Sequence, residues 1–129
     1  MTRQNESTWN DIQRMPRFTT AQLEQRLMRD VFAQVPPVDD SRYGEPQKEE
    51  IDGMKVTVNY GGQEVQYVVP KDYAWTAGVG AITIGKAYRV FDEGKETAHL
   101  REVRDPSELE SAASGYFQRI MEVLNRYKK

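Results

Sequence analysis

Two alternating apolar runs, MKVTVNY and QEVQYVV, meet at Gly61-Gly62, and no other stretch of the chain constrains the fold as tightly. A two-residue type I′ turn needs positive φ at both central residues, which glycine supplies without a Cβ clash. Such a turn fixes the register: Val58 opposite Val65, Val56 opposite Tyr67, and Met54 opposite Val69. All three pairs are apolar and share one face, so turn chemistry and side-chain pattern specify the same hairpin.

Helices are expected on both sides of this hairpin. Thr19-Thr20-Ala21-Gln22 reads as a capping box, with Thr19 as N-cap, Gln22 reaching back, and Phe18 and Leu23 as a hydrophobic staple. Leu23, Leu27, Val31 and Val35, with Met28 and Phe32 beside them, form an amphipathic stripe that predicts a helix near 20–35, ended by Pro36-Pro37. A second helix is predicted over 106–127. Asp105 caps it, Pro106 suits its first turn, and Glu108 stands where a capping box places its carboxylate. Gly115 in its middle costs about 1 kcal/mol relative to alanine and points to close packing on a sheet.

Between the hairpin and the second helix, AITIGKAYRVF and TAHLREVR read as further strands around Asp92-Glu93-Gly94-Lys95. One register pairs Val90 with Ala98, Tyr88 with Leu100, and Lys86 with Glu102. The fold class is therefore α+β: an antiparallel curved sheet of four or five strands flanked by an N-terminal and a C-terminal helix. The stretch TIGKAYRVFDEGK resembles small SH3-like barrels, where glycine-lysine precedes a strand and an acidic turn follows. That resemblance implies a half-barrel curvature and no function.

The chain of 129 residues suits one domain over 18–129, preceded by a polar arm at 1–17. Apolar residues are 38% of it and charged ones 29%, polar enough to place part of the chain outside the core. The segment 36–53 is a long acidic loop, with six acidic side chains against two basic ones and Tyr43 as its anchor. Formal net charge is -2, which gives no general support to nucleic acid or an anionic membrane as partner. No cysteine is present, which excludes disulfides, thiolate metal ligands and cysteine nucleophiles. With no apolar run near the roughly 18 residues of a membrane span, a soluble cytoplasmic protein without membrane contact is expected.

Gly80, Gly85 and Lys86 match the spacing of a phosphate-binding loop, G-x-x-x-x-G-K. The residues around them argue otherwise. Ala87 stands where a magnesium-binding hydroxyl belongs, and Ile82, Thr83 and Ile84 favour an extended chain. The stretch is read as a strand with a glycine bend. His99 is the only histidine and is read as structural. Adjacent carboxylates at Asp39-Asp40, Glu49-Glu50 and Asp92-Glu93 read as solvated loops. No cofactor, metal site or catalytic residue is assigned, and the chain is read as a non-enzyme.

Aromatic side chains outside the strongest periodic positions carry the functional expectation. Trp9, Tyr43, Tyr73 and Trp75 fall in the arm, loops or strand ends, and such residues are enriched at interfaces. The reading is a protein-interaction protein that binds a protein partner or itself through an aromatic loop, the arm or a sheet edge. Its size and style suit an accessory, inhibitory or assembly factor of viral or mobile-element origin. The alternative is a small nucleic-acid-binding module using the basic tip of the C-terminal helix, Arg119, Arg126, Lys128 and Lys129.

Overall fold

The computed structural model describes residues 15–76 and 80–127. In chain order the elements are β1 (Arg17–Thr19), α1 (Thr20–Asp30), β2 (Gly53–Tyr60), β3 (Gln63–Pro70), β4 (Ala74–Thr76), β5 (Ala81–Ile84), β6 (Tyr88–Phe91), β7 (His99–Glu102) and α2 (Pro106–Tyr127). Short 3-10 turns cover Asp40–Arg42 and Lys71–Tyr73. The class is α+β, with every described strand pair antiparallel. The strands divide into a four-stranded sheet, β2-β3-β6-β7, and a three-stranded sheet, β1-β5-β4, with no closed barrel.

The β2–β3 hairpin has the expected register, Val58 to Val65, Val56 to Tyr67 and Met54 to Val69. Its turn is left-handed at both glycines, with φ of 58° at Gly61 and 91° at Gly62. The apolar face of β2 carries α2. Ser111, Ala112, Ala113, Ser114 and Gly115 are all buried, and these small residues let the helix approach the sheet closely. A Cβ on Gly115 would fall 3.0 Å from Val58 Cγ2 and 3.2 Å from the Thr57 carbonyl oxygen. Leu23, Leu109 and Phe117 from the helices close the core, and Phe18, Ile82 and Ile84 bring the small sheet into it.

Thr19 caps α1 as expected, its hydroxyl accepting from the Gln22 amide at 3.0 Å, and Phe18 and Leu23 are both buried. Gln22 does not reach back: its side chain donates to Glu110 Oε2 on α2. The helix also stops at Asp30, well before Pro36-Pro37. The reason is tertiary. The Asp30 carbonyl accepts from the amides of Ala33 and, at 3.1 Å, of Gly61, so the hairpin turn docks on the end of the helix and bends the chain away.

The stretch read as one strand before the acidic turn is two, in different sheets. Gly85 and Ala87 bracket the switch: the Gly85 amide donates to the Tyr73 carbonyl, and the Ala87 carbonyl accepts from Val103. Ala81–Ile84 is a strand, and Lys86 is followed by another strand rather than by a helix, so the backbone forms no phosphate cradle there. Tyr88 pairs with Glu102 and Val90 with Leu100, two residues away from the expected register. A shift of two preserves which side chains share a face. It arises because the turn runs from Asp92 to Ala98, with positive φ at Asp92 and Gly94. Residues 15–17, at the inner end of the expected arm, lie against the small sheet. Arg17 pairs with Thr83, the Pro16 carbonyl accepts from Ile84, and Met15 lies against Gly85.

Gly61 and Gly62 separate two costs. Alanine at Gly62 meets no atom within 4 Å, so its penalty is the left-handed backbone alone, about 1–2 kcal/mol. Alanine at Gly61 would also place its Cβ 2.6 Å from the Ala33 carbonyl oxygen. In urea unfolding, Gly61→Ala is expected to lose at least about 1 kcal/mol more than Gly62→Ala. Equal losses would show that the hairpin does not dock on the end of α1.

Candidate functional site

The expected interface aromatic Tyr43 is a core residue, 1% exposed. The acidic loop is what puts it there. Asp39 caps the 3-10 turn through Ser41, and the chain then runs along the outer edge of β7. The Gly44 amide donates to the Glu102 carbonyl, and Gln47 exchanges backbone hydrogen bonds with Leu100. This strapping drives Tyr43 inward, edge-on to Phe91 at 5.3 Å, and removes it from any outer surface.

Its hydroxyl donates to Glu108 Oε1 at 2.7 Å, and Tyr67 donates to Glu108 Oε2 at 2.8 Å. Each phenol has one proton. Tyr67 spends its proton on the carboxylate, so Tyr60, 2.7 Å away, must donate to the Tyr67 oxygen. Arg89 donates to the Tyr43 oxygen and to the Pro36 carbonyl, and its NH1 lies 3.5 Å from Glu108 Oε2. Arg42 NH2 stands 3.3 Å from Oε1 and 3.2 Å from Asp105 Oδ2. Asp105 caps α2 through the Glu108 amide as expected, but the Glu108 side chain points into the core instead of back along the cap.

The Glu108 side chain is 0% exposed and faces phenols and guanidiniums. The arrangement ties α2, β3, β6 and the acidic loop at one point, and it presents no open oxygen to a substrate. Burial holds the Tyr43, Tyr60 and Tyr67 hydroxyls above their ordinary range, with Tyr60 pushed up to about 12.

Tyr73 and Trp75 are half-buried, with Trp75 opposite Thr83 in the small sheet and Tyr73 under the Lys86 ammonium at 4.7 Å. Trp9 lies outside the described residues. Arg119 faces Glu122 at 3.8 Å, Arg126 is exposed, and Lys128 and Lys129 lie outside the described residues. Of the described aromatic residues, Tyr43 is taken into the core while Tyr73 and Trp75 stay half-buried. His99 stacks on Phe91 with ring centroids 5.5 Å apart, and its Nδ1 stands 3.1 Å from the Thr97 carbonyl. Among the described residues no three histidine and carboxylate side chains converge to hold a metal ion.

A different surface emerges on α1. Leu23 and Leu27 turn inward, while Met28 and Phe32 stand 72% and 88% exposed, with Val31 beside them at 39%. Arg29, whose side chain is 71% exposed, leans toward Glu110 Oε1 on α2 at 3.9 Å. Phe32 stands in the turn that follows the helix, its amide donating to the Arg29 carbonyl at 3.1 Å. The sequence does carry a signal for this face. Apolar residues at 23, 27, 28, 31 and 32 make a stripe wider than one packed side needs, and the chain bends away after Asp30. Compared with family models, with curated proteins and with solved structures, the chain matches none.

Glu108→Gln is expected to destabilise the protein by about 3–5 kcal/mol in urea unfolding, because the amide leaves the buried Arg89 without its countercharge while Arg42 keeps only Asp105. A loss under about 1 kcal/mol would show that the carboxylate is not the hub.

The raised phenols give a separate test. A phenol whose pKa is higher folded than unfolded stabilises fully below the unfolded value, near 10, and loses that contribution as pH climbs through the folded value. Stability should therefore hold to about pH 10 and then fall, by up to about 1.4 kcal/mol per pH unit for each proton retained. Tyrosinate absorbance of these residues should appear together with loss of structure. Titration without unfolding would contradict their burial.

Proposed function

We propose that this is a non-enzymatic protein-interaction protein, an accessory, inhibitory or assembly factor, that engages a protein partner through the solvent face of α1. The observation that carries the reading is the exposure of two large apolar side chains at the end of α1, Met28 at 72% in its last turn and Phe32 at 88% in the turn that follows. Large apolar side chains standing together in water are more often binding anchors than accidents, and phenylalanine, methionine and arginine are typical of interface centres. Two exposed apolar side chains support a partner with an apolar groove.

The aromatic segment at Tyr73 and Trp75 supports this less strongly than α1 does, since both side chains are partly covered. The nucleic-acid alternative has less support again. Arg119 is matched by Glu122, and the only described basic group at the helix tip is Arg126. On the membrane side, no described helix is long and apolar enough to cross a bilayer.

A photo-crosslinking residue at position 32, in the full chain inside the producing cell, is expected to give one discrete adduct. The protein so identified, once purified, should bind the wild type at least about tenfold more tightly than a Met28→Ser, Phe32→Ser double variant of unchanged unfolding midpoint. Equal binding by the two would overturn the α1 reading.

A further inference from the structure

The four-stranded sheet has two edges, and the chain treats them differently. The β7 edge is covered by the acidic loop, through Tyr43 opposite Val103 and Gln47 opposite Leu100. Strand β2 at the other edge has one strand neighbour among the described residues, β3. At eight residues it is also far longer than the three-residue edge strands of the small sheet. A long unpaired edge is a row of unmet donors and acceptors, which proteins normally cover or interrupt.

The hairpin turn decides which groups face outward. Tyr60 and Gln63 close a two-residue turn and so exchange hydrogen bonds, as do the pairs 58/65, 56/67 and 54/69. The N–H and C=O groups of Lys55, Thr57 and Asn59 therefore point away from β3. The side chains of these three residues are exposed on the outer sheet face. A groove of about 360 Å³ runs beside this edge, with Lys55, Thr57, Asn59, Gln118 and Arg119 among its walls. On the inner side α2 comes down close to this strand, where a side chain at Gly115 would fall 3.2 Å from the Thr57 carbonyl oxygen.

The strand is also matched to itself. Lys-Val-Thr-Val-Asn, residues 55–59, is nearly palindromic about Thr57. A two-fold axis through Thr57 would set Thr57 against Thr57, Lys55 against Asn59 and Val56 against Val58. No like charges then stand opposite one another, and a facing threonine pair is among the favourable cross-strand contacts. Every outward group of the three residues would find a partner, about six interchain hydrogen bonds in all. Moving the axis to Lys55 would instead place lysine against lysine. An interface that is its own complement is what a two-fold dimer requires.

We propose that β2 pairs antiparallel with β2 of a second copy of this chain, centred on Thr57, to give a continuous eight-stranded sheet. The proposal rests on the reading of the protein as an interaction protein but uses a surface other than the α1 face. Position 57 tests one and position 32 the other, so each can fail alone.

The test is sedimentation equilibrium of the full chain as wild type, as Thr57→Lys, as Thr57→Glu, and as an equimolar mixture of the two variants. The wild type is expected at twice the chain mass. Each variant alone, folded by circular dichroism, should be a monomer, because like charges meet at the axis. The mixture should recover the dimer. A wild-type monomer throughout, or dimers that persist in both variants, would overturn the proposal.

Amide exchange on the wild type gives a reading that needs no variant. On concentrating the protein, protection at Lys55, Thr57 and Asn59 should rise by about tenfold or more while that at Val56 and Val58 stays unchanged. Equal behaviour of the two sets would also overturn the pairing.

Discussion

Glu108 sits in the core with no exposed side-chain surface, and three segments far apart in sequence converge on its two oxygens. Taking a carboxylate out of water costs several kcal/mol, so the site is tolerable only with its lone pairs and its charge both answered. Two phenol hydroxyls answer the lone pairs, and Arg42 and Arg89 answer the charge. Tyr60 behind Tyr67 extends the chain of donors in one direction. Each participant thereby fixes another: Tyr43 anchors the acidic loop, Arg89 anchors β6 and the chain at Pro36, and Asp105 links Arg42 to the start of α2.

This hub explains where the aromatic and charged residues ended up. Tyrosines at the ends of β2, in the middle of β3 and in the acidic loop are drawn inward because a buried acid needs hydroxyl donors. A purely apolar core would have left such residues at the rim. The acidic loop is ordered for the same reason, and in passing along β7 it covers an edge that would otherwise stay open. The small residues of α2 set a second constraint. They bring the helix down on β2 at Gly115, with room for α1 alongside, tied to α2 by Arg26 and Glu110 at 2.9 Å.

Two features remain outside this economy of contacts: the Met28 and Phe32 flank of α1 and the free edge of β2. Both are large for a chain of this size, and they differ in kind. The first offers apolar area and suits a groove. The second offers backbone hydrogen bonds in a self-matching order and suits a strand. They lie on separate elements, so self-pairing and partner binding need not compete for the same residues.

Much of the secondary structure was legible from short-range chemistry. The glycine pair fixed the hairpin register through φ, Thr19 and Asp105 fixed helix starts through hydroxyl and carboxylate caps, and the spacing of Leu109, Ala113 and Phe117 fixed the buried side of α2. The β-branched residues between Gly80 and Gly85 likewise excluded a phosphate cradle. These signals act within a few residues, so the sequence carries them complete. The rest depended on which distant groups meet. Tyr43 and Glu108 are 65 residues apart, and nothing near either marks them as partners. The end of α1 was set by Gly61, the sheet switch at Gly85 by Tyr73, and the exposure of Phe32 by the turn that follows the end of α1. Local geometry is encoded residue by residue. The pairing of a buried acid with its donors, and the choice of which apolar flank stays in water, exist only once the chain has closed on itself.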